Sequence, residues 1–546
     1  MNFPTFTSSL SLAFLALATT WAADPAETSP PPGQEDLRAW RQEAVNRPRR
    51  ILWNHDGGGS VGLTPTTVQD FLNRRLTVLA NTQVDTIMFC TLSSGFGMFS
   101  HFTRVGQIIT HSYTGSSVVT LDPAKLKDYL DPLKVVVEFG QAHHMEVFWS
   151  MRMNDTHDGN STTYGPKMFA ANPLKTTHPE YLLGTKTDRP FHGSWTGVNY
   201  ERPEIRDLAF RYIEEVCQNY DVDGIELDFF RHPNFFPYPD AEHGVTQAQC
   251  DLMTGLMQRI RAMADAAGKK RGRPILIAVR VPDSVEYCRA IGIDLPKWLA
   301  GDLLDLLIPG GYIRMNNWNT MVDLGHRYGV KVYADLDEPR LKIAKSGQPM
   351  DSSQAMRDTA AGYRGRAVEA LTAKADGIYL FDFFSGSLIK PPNVILNEIG
   401  SPALLPGKER IYFASYLGLS KIHGGGGLPH LPFQNIETLS INDPRPVSVN
   451  HPAQATILIP ETFADDGSTA LTLKVRLAPL PSPDRLSVTL NGKRLGSGTQ
   501  NGDWIEYSCH PADFVLGDNH CSLSVSGDSA TALNWQDLAV VAKPRP

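Results

Sequence analysis

Apolar runs of strand length alternate with amphipathic stretches of helical length between residues 49 and about 404. Most of the strand-like runs are continuously apolar, as parallel strands covered on both faces are. Between them apolar residues recur at helical spacing, for example in PTTVQDFLNRRLTVLAN and ERPEIRDLAFRYIEEVCQ. The predicted strands cover residues 49–56, 84–92, 145–155, 222–231, 274–283, 303–314, 329–339 and 375–384. Eight such units predict an α/β fold, a closed (β/α)8 TIM barrel over 49–404. A doubly wound open sheet is the alternative, but no glycine-rich phosphate turn follows the first strand.

After about residue 405 the pattern changes to short runs with alternating apolar and polar positions, such as LTLKVRLA, LSVTLNGKRLG and WIEYSC. Asn491-Gly492 is a dipeptide typical of a two-residue hairpin turn. Six or seven such runs predict an all-β antiparallel sandwich over 405–546.

The first 48 residues precede the first predicted strand. Leu10–Ala18 is a short apolar core followed by small residues, which predicts a signal peptide over 1–22, although no Lys or Arg precedes the core. A Pro-rich linker over 23–48 follows. We therefore expect a secreted or periplasmic protein with no membrane contact after signal removal.

Composition also limits the classes of binding partner. A formal net charge of −7 and the absence of a basic run or zinc-type Cys/His spacing argue against a nucleic-acid partner. Cys509 and Cys521 flank one loop, and they either form a disulfide bond in an exported protein or remain two buried thiols. No pattern predicts an oligomeric state.

Polar residues are concentrated where the predicted barrel strands end, and we expect far fewer of them where the strands begin. In a TIM barrel the carboxyl-terminal strand ends and the loops after them form the active site. The candidates for substrate binding there are His55, Asp56, Arg152, Asn154, Glu226, Arg231, His232, Arg280, Tyr312, Arg314, Asp335, Asp337 and Asp382.

The loops after the second, third and fourth strands are rich in Phe, Tyr and Trp, which suit the apolar faces of sugar rings, although most such rings pack loops onto barrels. Cleavage of a glycosidic bond needs two carboxyl groups. Glu226 and Asp228 lie two apart in VDGIELDFFR, so both point to the same side of the strand. We predict that Asp228 reaches the barrel mouth as a catalytic carboxylate. Glu226 lies deeper, where we expect an Arg or His partner such as Arg152 or Arg280.

The second catalytic carboxylate has two leading candidates. Glu286 follows the fifth strand and Glu338 follows the seventh, with Asp337 as the third choice. The alternative role for Glu286 is a carboxylate favoured at a helix N-terminus, with Asp283 or Ser284 as the cap.

Arg152, Arg231, His232, Arg280 and Arg314 all fall at or just past strand ends. Arg231 and Arg314 are expected at the outer rim, where a guanidinium group suits a carboxylate or sulfate ester. These five cationic side chains therefore predict an anionic glycan as substrate. The alternative is that they only neutralise the carboxylates at the barrel mouth.

THPEYLL, VNYERPEIRD and DVDGIELDFF together resemble the glycosyl-hydrolase-like family 10 group of barrel proteins, which carry HPEW/Y, NPEVR and vDGIxxDxY. Alpha-amylase-like enzymes carry DGxRxD, whose last Asp is the nucleophile, and the resemblance places Asp228 there. Chitinase-like enzymes end the strand with a Glu, where this chain has Phe230. SVTLNGKRLG with Leu516, Gly517 and Asn519 resembles the jelly-roll accessory modules of glycosidases.

The chain is therefore expected to be a glycosidase that hydrolyses a poly- or oligosaccharide, possesses no cofactor or metal, and uses two carboxylates. One alternative is a non-catalytic carbohydrate-binding barrel that lost one acid. Another is a metal-dependent hydrolase, for which His55 with Asp56 and His157 with Asp155 and Asp158 are the best-placed residues.

Overall fold

A computed structural model describes residues 37–57, 67–92, 95–109, 130–159, 164–311, 313–336, 350–383, 393–414, 433, 435–436, 439, 444–449, 451–527 and 533–545. No helix among these residues is long and apolar enough to cross a membrane. The predicted signal peptide lies outside them.

Eight parallel strands close into a barrel, and each strand pairs with its neighbours in the sequence. The strands are β1 Ile51–His55, β2 Val84–Cys90, β3 Glu146–Arg152, β4 Gly224–Asp228, β5 Leu276–Val281, β6 Leu306–Pro309, β7 Lys331–Asp335 and β8 Gly377–Phe381. The TIM-barrel prediction is confirmed, and every predicted strand contains one of these.

Thirteen α-helices are present among the described residues. They are α1 Leu37–Val45, α2 Val68–Arg75, α3 Pro132–Ala142, α4 Tyr164–Ala170, α5 Pro173–Thr177, α6 Pro203–Asn219, α7 Gln247–Arg271, α8 Val285–Ala290, α9 Leu295–Ala300, α10 Trp318–Arg327, α11 Ser352–Arg357, α12 Ala360–Thr372 and α13 Asn393–Leu396. Local chemistry fixes their ends: Thr246 and Gln249 form a capping box before α7, and Gly272 ends α7 with a φ of +79°.

The barrel strands are buried on both faces. Inward-facing side chains such as Leu52, Phe148 and Tyr379 fill the interior, while the outward-facing ones pack under the helices. This double burial explains the continuously apolar sequences of the strands.

Four aspartates at the beginnings of the even-numbered strands accept a backbone N–H from the preceding strand. Asp85 accepts from Arg50, Asp223 from Val147, Asp305 from Ile277 and Asp376 from Val332, at 2.7 to 2.8 Å. The strand starts therefore also carry acidic residues, because backbone groups at that end need partners.

The C-terminal region forms two antiparallel sheets, which confirms the all-β prediction. The strands are β9 Arg410–Phe413, β10 Arg445–Val447, β11 Ala453–Ile459, β12 Thr469–Ala478, β13 Leu486–Leu490, β14 Lys493–Arg494, β15 Thr499–Asn501, β16 Trp504–Cys509, β17 Gly517–Val525 and β18 Leu533–Pro544. One sheet has the order β9-β18-β12-β16-β15, with β10 also paired to β18, and the other has the order β11-β17-β13-β14. Asn491 and Gly492 form the expected hairpin turn with φ values of +51° and +81°. Cys509 and Cys521 are free thiols.

Candidate active site

The carboxyl-terminal ends of β4, β5 and β7 meet in one buried ion-pair network. Arg280 Nη1 lies 3.2 Å from both carboxylate oxygens of Asp228, and its Nε lies 2.8 Å from Asp335 Oδ2. All three side chains are at most 1% exposed. The barrel therefore brings together Asp228, Arg280 and Asp335, three of the predicted site residues, in direct contact.

The Asp228 carboxylate is also bonded to the turn that follows β4. Its Oδ1 accepts the backbone N–H groups of Phe230 and Arg231 at 2.9 and 3.0 Å. Two backbone groups and one guanidinium group thus hold this carboxylate in a single orientation.

Aromatic rings surround the guanidinium group of Arg280. Its central carbon lies 4.2 Å from the ring centre of Phe381 and 5.7 Å from that of Phe230. A Cβ at Gly311 would lie 2.1 Å from the Phe230 ring, so a glycine is required there for the close approach. The network therefore has a low-dielectric surrounding, which strengthens its charge interactions.

Glu226 lies one pleat deeper than Asp228 and is fully buried. Its Oε1 accepts the Tyr379 hydroxyl at 2.6 Å and its Oε2 accepts the Asn54 amide at 2.9 Å. Burial first, and then the charge of Asp228, raise the pKa of Glu226 to about 7, although bonds from Ser150 and Tyr379 and the charge of Arg280 lower it. The expectation of a bonded Arg or His partner is wrong, because neutral donors from β8 and β1 reach the carboxyl group instead.

Arg152 points away from Glu226 into a second polar cluster above β3 and β4. It donates to Asp155 Oδ2 at 2.8 Å and to the Asp56 carbonyl at 2.8 Å, and it also pairs with the Asp56 carboxylate. His157 Nδ1 lies 2.9 Å from Asp155 Oδ1, and its Nε2 lies 2.7 Å from Arg231 Nη2. A chain of hydrogen bonds thus connects Asp155, His157 and Arg231.

The ionisation of this cluster follows from its burial. Burial, together with the charges of Arg231 and Arg152, lowers the pKa of His157, although Asp155 opposes this shift. Burial and the charges of Arg231 and His157 lower the pKa of His232 well below its usual value. Although burial raises the pKa of Asp155, attraction and hydrogen bonding to His157 and attraction to Arg152 lower it well below its usual range. Both imidazoles therefore take up a proton less readily than a free histidine side chain does.

Asp155, His157 and His232 bring potential metal-ligand atoms within 4.8 Å of one another. The ligand atoms of Asp155 and His157, and Nδ1 of His232, already have other partners, however. Arg231 Nη2 bonds His157 Nε2, the backbone N–H of Thr156 bonds His232 Nδ1 at 3.3 Å, and Arg152 bonds Asp155. A cation would have to displace positively charged and N–H donors, so the surroundings fit a hydrogen-bonded cluster better than a metal centre.

The other predicted residues have different surroundings. Asn154 bonds the backbone at Val198 and Asn234 and therefore joins two loops. His55 accepts the backbone N–H of Gly57 at 3.0 Å, and the backbone N–H of Asp382 donates to the Asn54 carbonyl at 3.1 Å. Tyr312, Asp337 and Glu338 lie outside the described residues.

Arg314 and Glu286 are not at the network. Arg314 is fully buried, 4.0 Å above the Trp318 ring and close to Asp283 and Glu369, so its expected place at the outer rim is wrong. Glu286 is exposed in the first turn of α8, where it accepts a hydrogen bond from the Ser284 hydroxyl at 3.1 Å. Ser284 is the N-cap of that helix, as expected if Glu286 is a carboxylate at a helix N-terminus.

Tyr379 is a site residue that the sequence reasoning missed. It lies within the apolar run GIYLF, and its hydroxyl reaches Glu226 across the barrel. A buried tyrosine hydroxyl usually has a hydrogen-bond partner, so a tyrosine in a buried strand could have indicated a polar interior.

No known protein family matches this chain, and no curated protein matches its sequence. Solved structures with similar folds include the PgaB (BpsB) glycoside hydrolase domain from Bordetella bronchiseptica, at 11% identity and a TM-score of 0.40 over 65% of this chain and 99% of that one. A glycoside hydrolase family 18 N-acetylglucosaminidase from Paenibacillus barengoltzii has 12% identity and a TM-score of 0.35 over 65% and 98%. The GH27 β-L-arabinopyranosidase from Geobacillus stearothermophilus has 9% identity and a TM-score of 0.36 over 90% and 100%. Similarity at this level does not identify a substrate or a mechanism.

Proposed function

We propose that the barrel is a glycosidase that hydrolyses a poly- or oligosaccharide. The observation that supports this proposal is the pair of aspartates, Asp228 and Asp335, held on one guanidinium group at the carboxyl-terminal end of the barrel. Barrel enzymes perform their chemistry at this end, and glycosidic cleavage needs two carboxyl groups close together.

Asp228 is the carboxylate that attacks the anomeric carbon or activates water. Its bonds to Arg280 and to two backbone N–H groups fix the orientation of its oxygens, which a positioned nucleophile or base requires. Asp335 is a candidate for the second carboxyl group because it shares Arg280 with Asp228, and Glu338 follows it three residues later in the chain. Exposed Glu286 is the least favoured candidate, because its hydrogen bond to Ser284 belongs to the start of α8.

An anionic glycan is the finer proposal. Arg231 follows β4 in the sequence, and its Nη2 lies 2.7 Å from His157 Nε2. Arg231 is half-buried above β4, where a guanidinium group suits a sulfate ester or uronic acid of the substrate. Salt screens such contacts, so binding of an anionic glycan should weaken as ionic strength rises.

Replacing Asp228 with Asn tests the glycosidase proposal. We expect Asp228→Asn to lower turnover at least a hundredfold, since removal of a catalytic group typically changes rates by about 100-fold or more. The measurement is the release of reducing ends from neutral, sulfated and uronic-acid-containing polysaccharides, at low and high salt and with and without a chelator.

Asp85→Asn is the matched control, because Asp85 begins a barrel strand at the opposite end and an amide oxygen there can still accept the Arg50 N–H. The proposal is overturned if Asp228→Asn keeps its activity within tenfold. A loss of activity with the chelator would instead favour a metal-dependent hydrolase.

A further inference from the structure

A buried acid lies directly beneath the Asp228–Arg280 ion pair. Glu226 and Asp228 are two residues apart on β4, so both side chains face the barrel interior. Among the described residues, Glu226 accepts hydrogen bonds from two neutral donors, the Tyr379 hydroxyl and the Asn54 amide. The hydrolysis described above leaves this acid without a role.

The charged and titratable groups around Glu226 offer little positive charge to balance an ionised carboxylate there. Among the described residues, the groups that interact with it or with its partner Tyr379 are Cys90 on β2, Asp228 on β4, Arg280 on β5, Asp335 on β7 and Tyr379 itself on β8. Arg280 is the cation of this set, and it is already bonded to two aspartates. An ionised Glu226 would be a third buried carboxylate facing a single guanidinium group.

We propose that Glu226 is a positioning residue for the network of Asp228, Arg280 and Asp335, a role that rests on the proposed glycosidase function. As a neutral acid held by Tyr379 and Asn54, it leaves Arg280 bonded to the two aspartates. When it ionises, its negative charge competes for the same guanidinium group and draws Arg280 away from Asp228.

Activity should therefore fall as the pH rises through the titration of Glu226. Burial and the charge of Asp228 raise the pKa of this group to about 7, so the loss begins near neutral pH. The hydrogen bond from Tyr379 favours the ionised form, so removing the hydroxyl should raise that pKa further. Tyr379→Phe should then remain active to a higher pH than the wild type.

The test compares kcat/KM as a function of pH in four proteins. The wild type should show an alkaline limb near pH 7, which Glu226→Gln should lack while it retains at least about a tenth of the maximal activity. Tyr379→Phe should move the limb to higher pH. Tyr333→Phe is the matched control, because Tyr333 is also buried in the barrel but lies near Arg49 at the other end, and the substitution should leave the limb in place.

The positioning role is wrong if the limb is unchanged in Glu226→Gln, or if Tyr379→Phe and Tyr333→Phe behave alike. Tyr379→Phe keeps the test valid should Glu226→Gln fail to fold, since it removes one oxygen without adding a charge.

Crystal structures at about pH 6 and about pH 8.5, on either side of the titration, separate this role from the glycosidase proposal. We expect Arg280 to bond Asp228 and Asp335 at the lower pH and to turn toward Glu226 at the higher pH. If Arg280 keeps the same partners at both pH values, the positioning role is overturned whatever the activity. If Arg280 moves but the wild type cleaves no glycan, only the proposed function is overturned.

Discussion

Two acids on one strand face the same interior, and their neighbours give them different chemistry. Asp228 is bonded to a guanidinium group and two backbone N–H groups, whereas Glu226 is bonded to a hydroxyl and an amide. The bonds at Asp228 thus come from a cation and the backbone, whereas those at Glu226 come from neutral side chains.

Glu226 makes the stability of the protein depend on pH. A folded-state pKa of about 7, above the ordinary value of 4.5, means that its contribution to stability is complete below about pH 4.5 and is lost as the pH rises through 7. The difference corresponds to about 3 kcal/mol. Glu226→Gln cannot ionise, so its free energy of unfolding relative to the wild type should rise by about that amount between pH 4.5 and pH 8.

Urea unfolding across that pH range measures the difference. Glu286→Gln is the control, since it replaces an exposed glutamate outside the ion-pair network in the same way. If the free energies of unfolding of Glu226→Gln and the wild type change with pH in the same way, a buried and neutral Glu226 is contradicted.

The sequence predicted the inward direction of Asp228 and Glu226, because strand residues two apart share a face. It did not predict Tyr379 or Asn54 as partners of Glu226, since closure of the barrel brings β8 and β1 across from β4. The burial of Arg314 was missed for a related reason: the aromatic ring and the acids around it come from helices α10 and α12 and the loop after β5.

At the scale of the elements, the two ends of the barrel strands use acidic residues differently. Asp85, Asp223, Asp305 and Asp376 bond backbone N–H groups where even-numbered strands begin. Glycines follow two of them: a Cβ at Gly224 would lie 2.3 Å from the Phe148 ring, and one at Gly377 would lie 2.3 Å from the Arg49 carbonyl. The Asp-Gly pairs in VDGIEL and ADGIYL are thus explained by strand pairing and interior packing.

Asp376 should be important for stability. Its carboxylate accepts the Val332 N–H at 2.8 Å, His326 Nε2 at 2.7 Å and Lys331 Nζ at 2.9 Å. We expect Asp376→Ala to lower the free energy of unfolding by about 1–3 kcal/mol, because the N–H group of Val332 loses its partner. Asp376→Asn should lose less, since its amide oxygen can still accept that bond, and equal losses measured by urea unfolding would contradict this explanation.

At the scale of the whole molecule, the C-terminal sheets are joined to the barrel by buried charge. Arg357 at the end of α11 bonds Asp537 on β18 at 2.6 and 3.0 Å, and both side chains are fully buried. Arg476 on β12 bonds Asp351, just before α11, at 2.6 and 3.0 Å. The sandwich is therefore packed against the barrel helices through specific contacts.

Asp537→Ala would leave Arg357 buried beside an empty position. Breaking a buried ion pair in this way typically lowers stability by about 3–5 kcal/mol. Calorimetry should show that the unfolding of the barrel and the sandwich moves to lower temperature together. The double variant Arg357→Met/Asp537→Leu removes both charges and should recover most of the loss, whereas an unshifted barrel transition in Asp537→Ala would show that the two regions unfold independently.

The four aspartates at the beginnings of the even-numbered strands also have a consequence for the evolution of such a protein. They stabilise strand pairing at one end of the barrel, and the residues that bear the proposed chemistry lie at the other end. Substitutions that alter the mouth leave those backbone bonds in place. Lineages that share this scaffold can therefore exchange one reaction for another without rebuilding the hydrogen bonds that specify the fold.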